Sequence, residues 1–137
     1  MEKVLTFGVF DYFHIGHLRL FENCKKYGDF LIVAVQDGDF VLKYKPEAKI
    51  LYSTQERVDM VRALRVVDEV LVYQGVCSEF LETVDFDILA LGEDHTAERW
   101  MQAAEWCLIH GKKVIHMKRT QGICSSDIKR QLDKKAF

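Results

Sequence analysis

After Asp29 the chain runs Phe-Leu-Ile-Val-Ala-Val35 with no polar interruption. A strand that is apolar on both faces belongs in the middle of a sheet covered on both sides, which is the habit of parallel sheets flanked by helices. The residues ahead of it agree. Lys3-Val-Leu-Thr-Phe7 alternates well enough for an opening strand, and from about Ile15 to Tyr27 the apolar residues Ile15, Leu18, Leu20, Phe21 and Cys24 recur at helical spacing. Strand, helix and apolar strand in that order predict a parallel pair with a right-handed crossover.

The pattern continues downstream. Gln36-Asp-Gly-Asp39 breaks the apolar run, and Phe40 to Tyr52, without a clean period, reads as a long loop carrying Lys43, Lys45 and Lys49 around the sole proline, Pro46. Ser53-Thr-Gln-Glu56 has the form of a capping box, predicting a helix to about Leu64 that buries Val58, Val61 and Leu64. Val66 to Tyr73 predicts a third strand region, with the strand itself starting at about Asp68, Ser78 to Val84 a short helix, and Asp87 to Leu91 a fourth strand ending at Gly92. A helix from about Ala97 to His110 follows, with Trp100, Ala103, Ala104 and Cys107 as its buried stripe and Gly111 closing it. Lys113 to Met117 predicts a fifth strand, and Asp127 to about Lys134 a last helix. The fold class is α/β, a doubly wound five-stranded parallel sheet in one domain spanning residues 1–137.

Composition narrows the function classes. A formal net charge of −2 without a basic block gives general nucleic-acid binding little electrostatic support, and leaves room for a local cationic pocket for a small polyphosphate. No apolar run approaches the ~18 residues of a membrane span, and Met1-Glu-Lys leads straight into a strand, so neither membrane nor signal peptide is expected. Cys24, Cys77, Cys107 and Cys124 show no paired or zinc-like spacing, and are expected to be reduced packing thiols of a cytoplasmic protein.

The stretch Gly8-Val-Phe10-Asp11-Tyr-Phe-His14-Ile-Gly16-His17 is a strand-to-helix turn. Unpaired N–H groups and the helix dipole favour an anion at such a helix start. His14 and His17, three residues apart, share a helix face and can donate hydrogen bonds to phosphoryl oxygens. Gly92-Glu-Asp94-His95 and Arg119-Thr-Gln-Gly-Ile-Cys-Ser-Ser126 also follow strands. Since parallel strands point one way, the three loops are expected to gather at the carboxyl edge of the sheet, where ligands of open α/β sheets bind. Ser125 and Ser126 read equally as N-caps or as a second phosphate cradle. His110 and His116 read as surface residues and Trp100 as core.

These residues carry a family resemblance. Gly8-x-Phe10-Asp11-x-x-His14-x-Gly16-His17 resembles the signature of the HxGH nucleotidyltransferases, and Arg119-Thr120-x-Gly122-Ile123 with Ser125-Ser126 resembles the C-terminal signature of their cytidylyltransferase branch. Arg65-Val-Val-Asp68-Glu69-Val70 is similar to that branch's R-x-V-D-E-V segment, and the overall likeness is to small bacterial glycerol-3-phosphate cytidylyltransferases. The resemblance implies a Rossmann-like domain that transfers CMP from CTP to a small phosphorylated acceptor, glycerol 3-phosphate or a similar alcohol phosphate, by direct in-line attack with release of pyrophosphate. It implies His14, His17, Lys43 and Arg119 as catalytic residues. It implies Val9, Phe10, Asp11, Gly16, Arg65, Gly92, Asp94, Thr120, Gly122, Ile123 and Ser125 as nucleotide-binding residues, with Lys45 and His95 on the acceptor side. Mg²⁺ is expected to be held mainly by the nucleotide phosphates, with no protein metal site. A homodimer supplying cell-envelope precursors is also implied, with Asp68 and Glu69 as ion-pairing residues at a subunit contact. Cys124 stands where the signature has serine, and His95 where relatives have an aromatic residue.

Two other readings share parts of this pattern. Adenylyltransferases of the heptose-phosphate or flavin type have the same first motif, and the intact Arg119 turn favours CTP over ATP. A non-catalytic nucleotide-binding regulatory module would need fewer of His14, His17, Lys43 and Arg119 than are present.

Overall fold

Parallel pairing of strand β1 (Lys3–Gly8) with β2 (Phe30–Gln36) matches Lys3 to Phe30 and Gly8 to Val35, and residues 31–36 of β2 are buried throughout. The structure, a computed structural model, describes residues 2–93 and 95–118. The remaining strands are β3 (Glu69–Tyr73), β4 (Ile88–Leu91) and β5 (Lys113–His116), and the sheet order is β3-β2-β1-β4-β5 with every pair parallel. The expected five-stranded, doubly wound parallel sheet is what the structure shows.

Helices cover both faces. Helix α1 (Ile15–Cys24) and helix α3 (Thr54–Arg62) bury Phe21, Cys24, Val58 and Val61 in one layer, with Val4, Leu31, Val33, Val35, Ile88 and Ala90 from the strands. Helix α4 (Ser78–Thr83) and helix α5 (Glu98–Ile109) bury Leu81, Trp100, Ala103 and Cys107 in the other, with Leu5, Phe7, Ile32, Ala34, Leu89 and Leu91. Alternate residues of β1, β2 and β4 thus feed opposite layers, which is why these strands are apolar without alternation. The order of strands reverses at β1, and it is beyond the carboxyl ends of strands at such a reversal that open α/β sheets bind ligands.

The capping box at α3 is as expected. Ser53 Oγ accepts the Glu56 N–H at 3.1 Å and Glu56 Oε1 accepts the Ser53 N–H at 3.0 Å. Ser53→Ala is expected to lower the unfolding free energy by about 1 kcal/mol, measured by urea titration, because one amide of the first turn loses its acceptor.

Several expectations are corrected. The segment 40–44, read as loop, belongs to helix α2 (Gly38–Tyr44). Only Val41 of this short helix is buried, so no apolar period shows in the sequence. Its start is capped from elsewhere, because the Gly38 N–H donates to Thr54 Oγ1 at 2.9 Å. Helix α1 ends at Cys24, three residues before Tyr27. β3 starts at Glu69, since Asp68 turns its carboxylate onto the Leu31 N–H at 2.8 Å and onto Lys25. Asp68 therefore pairs within the chain, where Lys25 and the Leu31 amide overcome the effect of burial and lower its pKa. Cys77, expected to pack, is exposed, whereas Cys24 and Cys107 are buried, their thiols pushed up to about 12 and about 11 by desolvation. Among the described residues no helix is long and apolar enough to cross a membrane.

Candidate active site

The turn between β1 and α1 is held in an unusual backbone path. Phe10 and Tyr12 both adopt left-handed conformations, with φ of 57° and 50°. Residues other than glycine take up that region at a cost, and such positions concentrate at functional sites. Gly8 is needed for close approach, because a Cβ there would lie 2.6 Å from the Phe10 ring. Phe10 itself is buried edge-on against Phe21 and His17, with ring centroids 5.1 and 5.5 Å apart.

His14 is the N-cap of α1 and His17 is its third helical residue. His14 Nδ1 accepts the Gly16 N–H at 3.0 Å, and His17 Nδ1 accepts the His14 N–H at 3.2 Å. This is a capping box built from two imidazoles, whose rings stack with centroids 3.9 Å apart. Because each Nδ1 accepts, the network assigns the proton of each neutral ring to Nε2. His14 Nε2 is buried and has no hydrogen-bond partner among the described residues. A buried donor without an acceptor is costly, and a ligand oxygen relieves that cost.

Burial also lowers the pKa of His14. A histidine whose pKa is lower folded than unfolded contributes stability that is complete above the unfolded value near 6.5 and is lost as pH falls through the folded value. The melting temperature is therefore expected to fall between about pH 7 and about pH 5 more steeply in the wild type than in His14→Asn, which keeps a capping side chain but does not titrate. Parallel curves would show that His14 is not the titrating group.

A second pair of side chains fixes the surroundings. Asp11 is buried, and its two oxygens accept the Leu51 N–H at 2.7 Å and the Tyr52 N–H at 3.1 Å. Arg57 is fully buried on α3 and reaches in the same direction. Its Nη1 donates to Val9 O at 2.9 Å and Gln36 O at 2.8 Å, its Nε to Tyr52 O at 3.2 Å, and its Nη2 to Thr54 Oγ1 at 3.1 Å. The turn after β1, the end of β2, the segment before α3 and α3 itself are thereby joined at one guanidinium. The two carboxylates of Asp11 and Asp37 hold its charge against the desolvation that lowers its pKa. Arg57 escaped the sequence reading. The available signal was its position, four residues before Val61 and so on the buried face of α3, where a charge requires partners.

The other expected site residues divide by location. Val9, Phe10, Asp11, His14, Gly16 and His17 lie together in the first turn, and the Gly16 amide is the one that caps onto His14. Gly92 follows β4, which adjoins β1, and donates its N–H to His95 Nδ1 at 2.9 Å, so His95 repeats the tautomer of the other two histidines. The His95 ring lies on Trp100, with centroids 4.2 Å apart, and Trp100 is core as expected. Lys43 is exposed on the last turn of α2, and Lys45 follows that helix with Nζ 5.9 Å from the Tyr44 ring centroid. Arg65 is exposed and precedes β3, so within the single chain it lies at the amino edge of the sheet, away from the first turn. The loop-edge signal that marked the other residues points the other way here, because Arg65 enters a strand and does not leave one. Asp94, Arg119, Thr120, Gly122, Ile123, Cys124, Ser125 and the expected last helix lie outside the described residues. His110 and His116 are exposed. Among the described residues no group of three or more His, Cys, Asp or Glu side chains is placed to hold a metal ion.

A strained turn thus leads from β1 into a helix that opens on a pair of stacked imidazoles, at the strand-order reversal. The pattern of the cytidylyltransferase-like family matches residues 5–131. The chain belongs to that family and is a nucleotidyltransferase. It is 33% identical over 136 residues to a glycerol-3-phosphate cytidylyltransferase of Staphylococcus aureus, covering 96% of each chain. It is 37% identical over 94 residues to an FAD synthase of Thermococcus sibiricus, covering 67% of this chain and 63% of that one. Among solved structures it resembles a lipopolysaccharide core biosynthesis protein of Thermoplasma volcanium, with a TM-score of 0.71, 25% identity and coverage of 88% of this chain and 97% of that one.

Proposed function

We propose that the chain transfers CMP from CTP to a small phosphorylated alcohol, with glycerol 3-phosphate as the first candidate. The observation that carries the reading is the pair of imidazoles with Nδ1 tied back to the backbone and the proton on Nε2, at the start of α1. Near-complete coverage of a glycerol-3-phosphate cytidylyltransferase supports the choice of base and acceptor.

In this reaction an oxygen of the acceptor phosphate attacks the α-phosphorus of the nucleotide. A new P–O bond forms, the bond to the bridging oxygen breaks, and pyrophosphate leaves with the electron pair. The Nε2–H groups of the two imidazoles and the positive end of the α1 dipole offset charge building on the phosphoryl oxygens. Preorganisation explains their strength, since both rings are already oriented before a ligand arrives. Mg²⁺, when bound, would neutralise triphosphate charge. Asp11 has both oxygens committed to backbone amides, which fits an ion held by the nucleotide and not by a protein cage. Lys43 and Lys45 add positive charge from α2 and its end, and Arg119 is assigned to the phosphates. The reading extends to a cytoplasmic homodimer that supplies cell-envelope precursors.

Likeness to an FAD synthase favours a second reading, adenylyl transfer from ATP. The deciding experiment is pyrophosphate release with Mg²⁺, crossing CTP and ATP against glycerol 3-phosphate, phosphoethanolamine, phosphocholine, a heptose phosphate and FMN. Turnover with CTP and one alcohol phosphate is expected. Turnover with ATP alone would replace the first reading by the second.

A further inference from the structure

A second polar cluster lies at the carboxyl edge, across the end of β1 from the histidines. Phe10, His17 and Phe21 pack on one side of the sheet, whereas Phe7, Tyr73 and Trp100 pack on the other. There Arg99, exposed on the first turn of α5, lies with Cζ 5.9 Å from the ring centroid of Tyr44 and 5.7 Å from that of Trp100. The rings come from different helices, so one guanidinium spans from the end of α2 to the start of α5.

Both rings are anchored. Tyr44 Oη donates to Gln36 Oε1 at 3.1 Å, and Gln36 Nε2 donates to Gln74 O at 2.9 Å. Trp100 is buried and packs at a tilt against the His95 ring. Among the described residues no carboxylate forms an ion pair with Arg99. Its charge is felt in the core below, where it opposes the burial that raises the pKa of Tyr73. Aromatic rings engage the flat face of a guanidinium and leave its in-plane N–H groups as donors. A cation placed in that way is suited to two oxygens of one phosphate.

We propose that Arg99 grips the phosphate of the acceptor, on the opposite side of the β1 terminus from the histidines that face the nucleotide. The inference rests on the nucleotidyl-transfer reading and assigns its second substrate a cation of its own. The reaction needs one: two phosphate-bearing anions must meet, and their repulsion is strongest where water is excluded. The cluster also defines the acceptor's class, a phosphate monoester small enough to fit beside Tyr44, with Gln36 and the Tyr44 hydroxyl as polar neighbours.

The test compares wild type, Arg99→Gln and Arg99→Lys in steady-state pyrophosphate release, varying CTP and glycerol 3-phosphate separately. Arg99→Gln is expected to raise the acceptor KM by about tenfold or more and to leave the CTP KM within about twofold, with Arg99→Lys in between. Unchanged melting temperatures are expected, since the side chain is exposed. Equal effects on both KM values, or on neither, would overturn the assignment. Wild-type silence with CTP and ATP across the acceptor panel would count against the nucleotidyl-transfer reading alone. Calorimetric titration with glycerol 3-phosphate and with inorganic phosphate would then read Arg99 directly: weakening by about tenfold in Arg99→Gln supports it, and equal binding overturns it.

Discussion

Replacing His14 or His17 by alanine is expected to lower kcat for pyrophosphate release by a factor of about 10²–10³, the loss associated with one preorganised donor to transition-state charge. The two losses differ in origin. His14→Ala removes an Nε2–H donor and also the acceptor for the Gly16 amide, so part of its effect is structural. His14→Asn separates these, because asparagine can still cap the helix while placing no donor at the Nε2 position. Its melting temperature at neutral pH should stay near that of the wild type while its turnover falls with that of His14→Ala. His17→Ala removes the acceptor for the His14 N–H and the ring on which His14 stacks. The double variant should therefore lose less than the product of the single losses, since the two residues act as one unit. Near-normal turnover in both single variants would take the imidazoles out of the reaction.

The second large effect is expected at Arg57. Arg57→Met keeps much of the buried volume and removes every donor. Three carbonyl oxygens, of Val9, Gln36 and Tyr52, would then lose a partner in the interior. Each unsatisfied buried group costs about 1–3 kcal/mol, and partial relaxation brings the expected total to about 3–5 kcal/mol in urea unfolding. Arg57→Lys keeps the charge and can satisfy only some of the acceptors, so an intermediate loss is expected and that variant should fold even if Arg57→Met does not. A loss below about 1 kcal/mol in Arg57→Met would mean that water or a backbone shift replaces these bonds. In Arg57→Lys the nucleotide KM should rise if the proposed phosphate site is the turn after β1, because Val9 belongs to that turn and its carbonyl is one of the four groups joined at this side chain.

The sequence was most legible where local chemistry and tertiary packing agree. Phe30 to Val35 signalled a central strand because both of its faces meet helices, and Ser53 to Glu56 signalled a helix start because both capping bonds are made within four residues. The histidine turn was legible for the same reason: residues three apart at a helix start meet each other there. Helix α2 was not, since the group that caps Gly38 comes from Thr54, sixteen residues away, and only Val41 is buried. The Arg57 junction was hidden more deeply. Thr54 and Tyr52 are local to it, but Val9 and Gln36 lie 48 and 21 residues away, and only the folded chain brings them within reach. Arg99 was passed over because a charged residue in the first turn of an amphipathic helix looks like ordinary surface until Tyr44 is seen against it.

The bonds from Asp11 to the amides of Leu51 and Tyr52 bear on how such an enzyme can diverge. Upstream, the end of β2 is tied by Arg57 and the start of α2 by Thr54; downstream, the chain is clamped again at Leu51. Residues 45–50 are thus an excursion whose two ends are fastened independently to the same frame. On the proposed reading, lengthening it or changing its charges would alter what meets the second substrate while the turn after β1 keeps its geometry. Selection can rewrite acceptor choice there by insertion and substitution, without first finding a new way to hold the nucleotide.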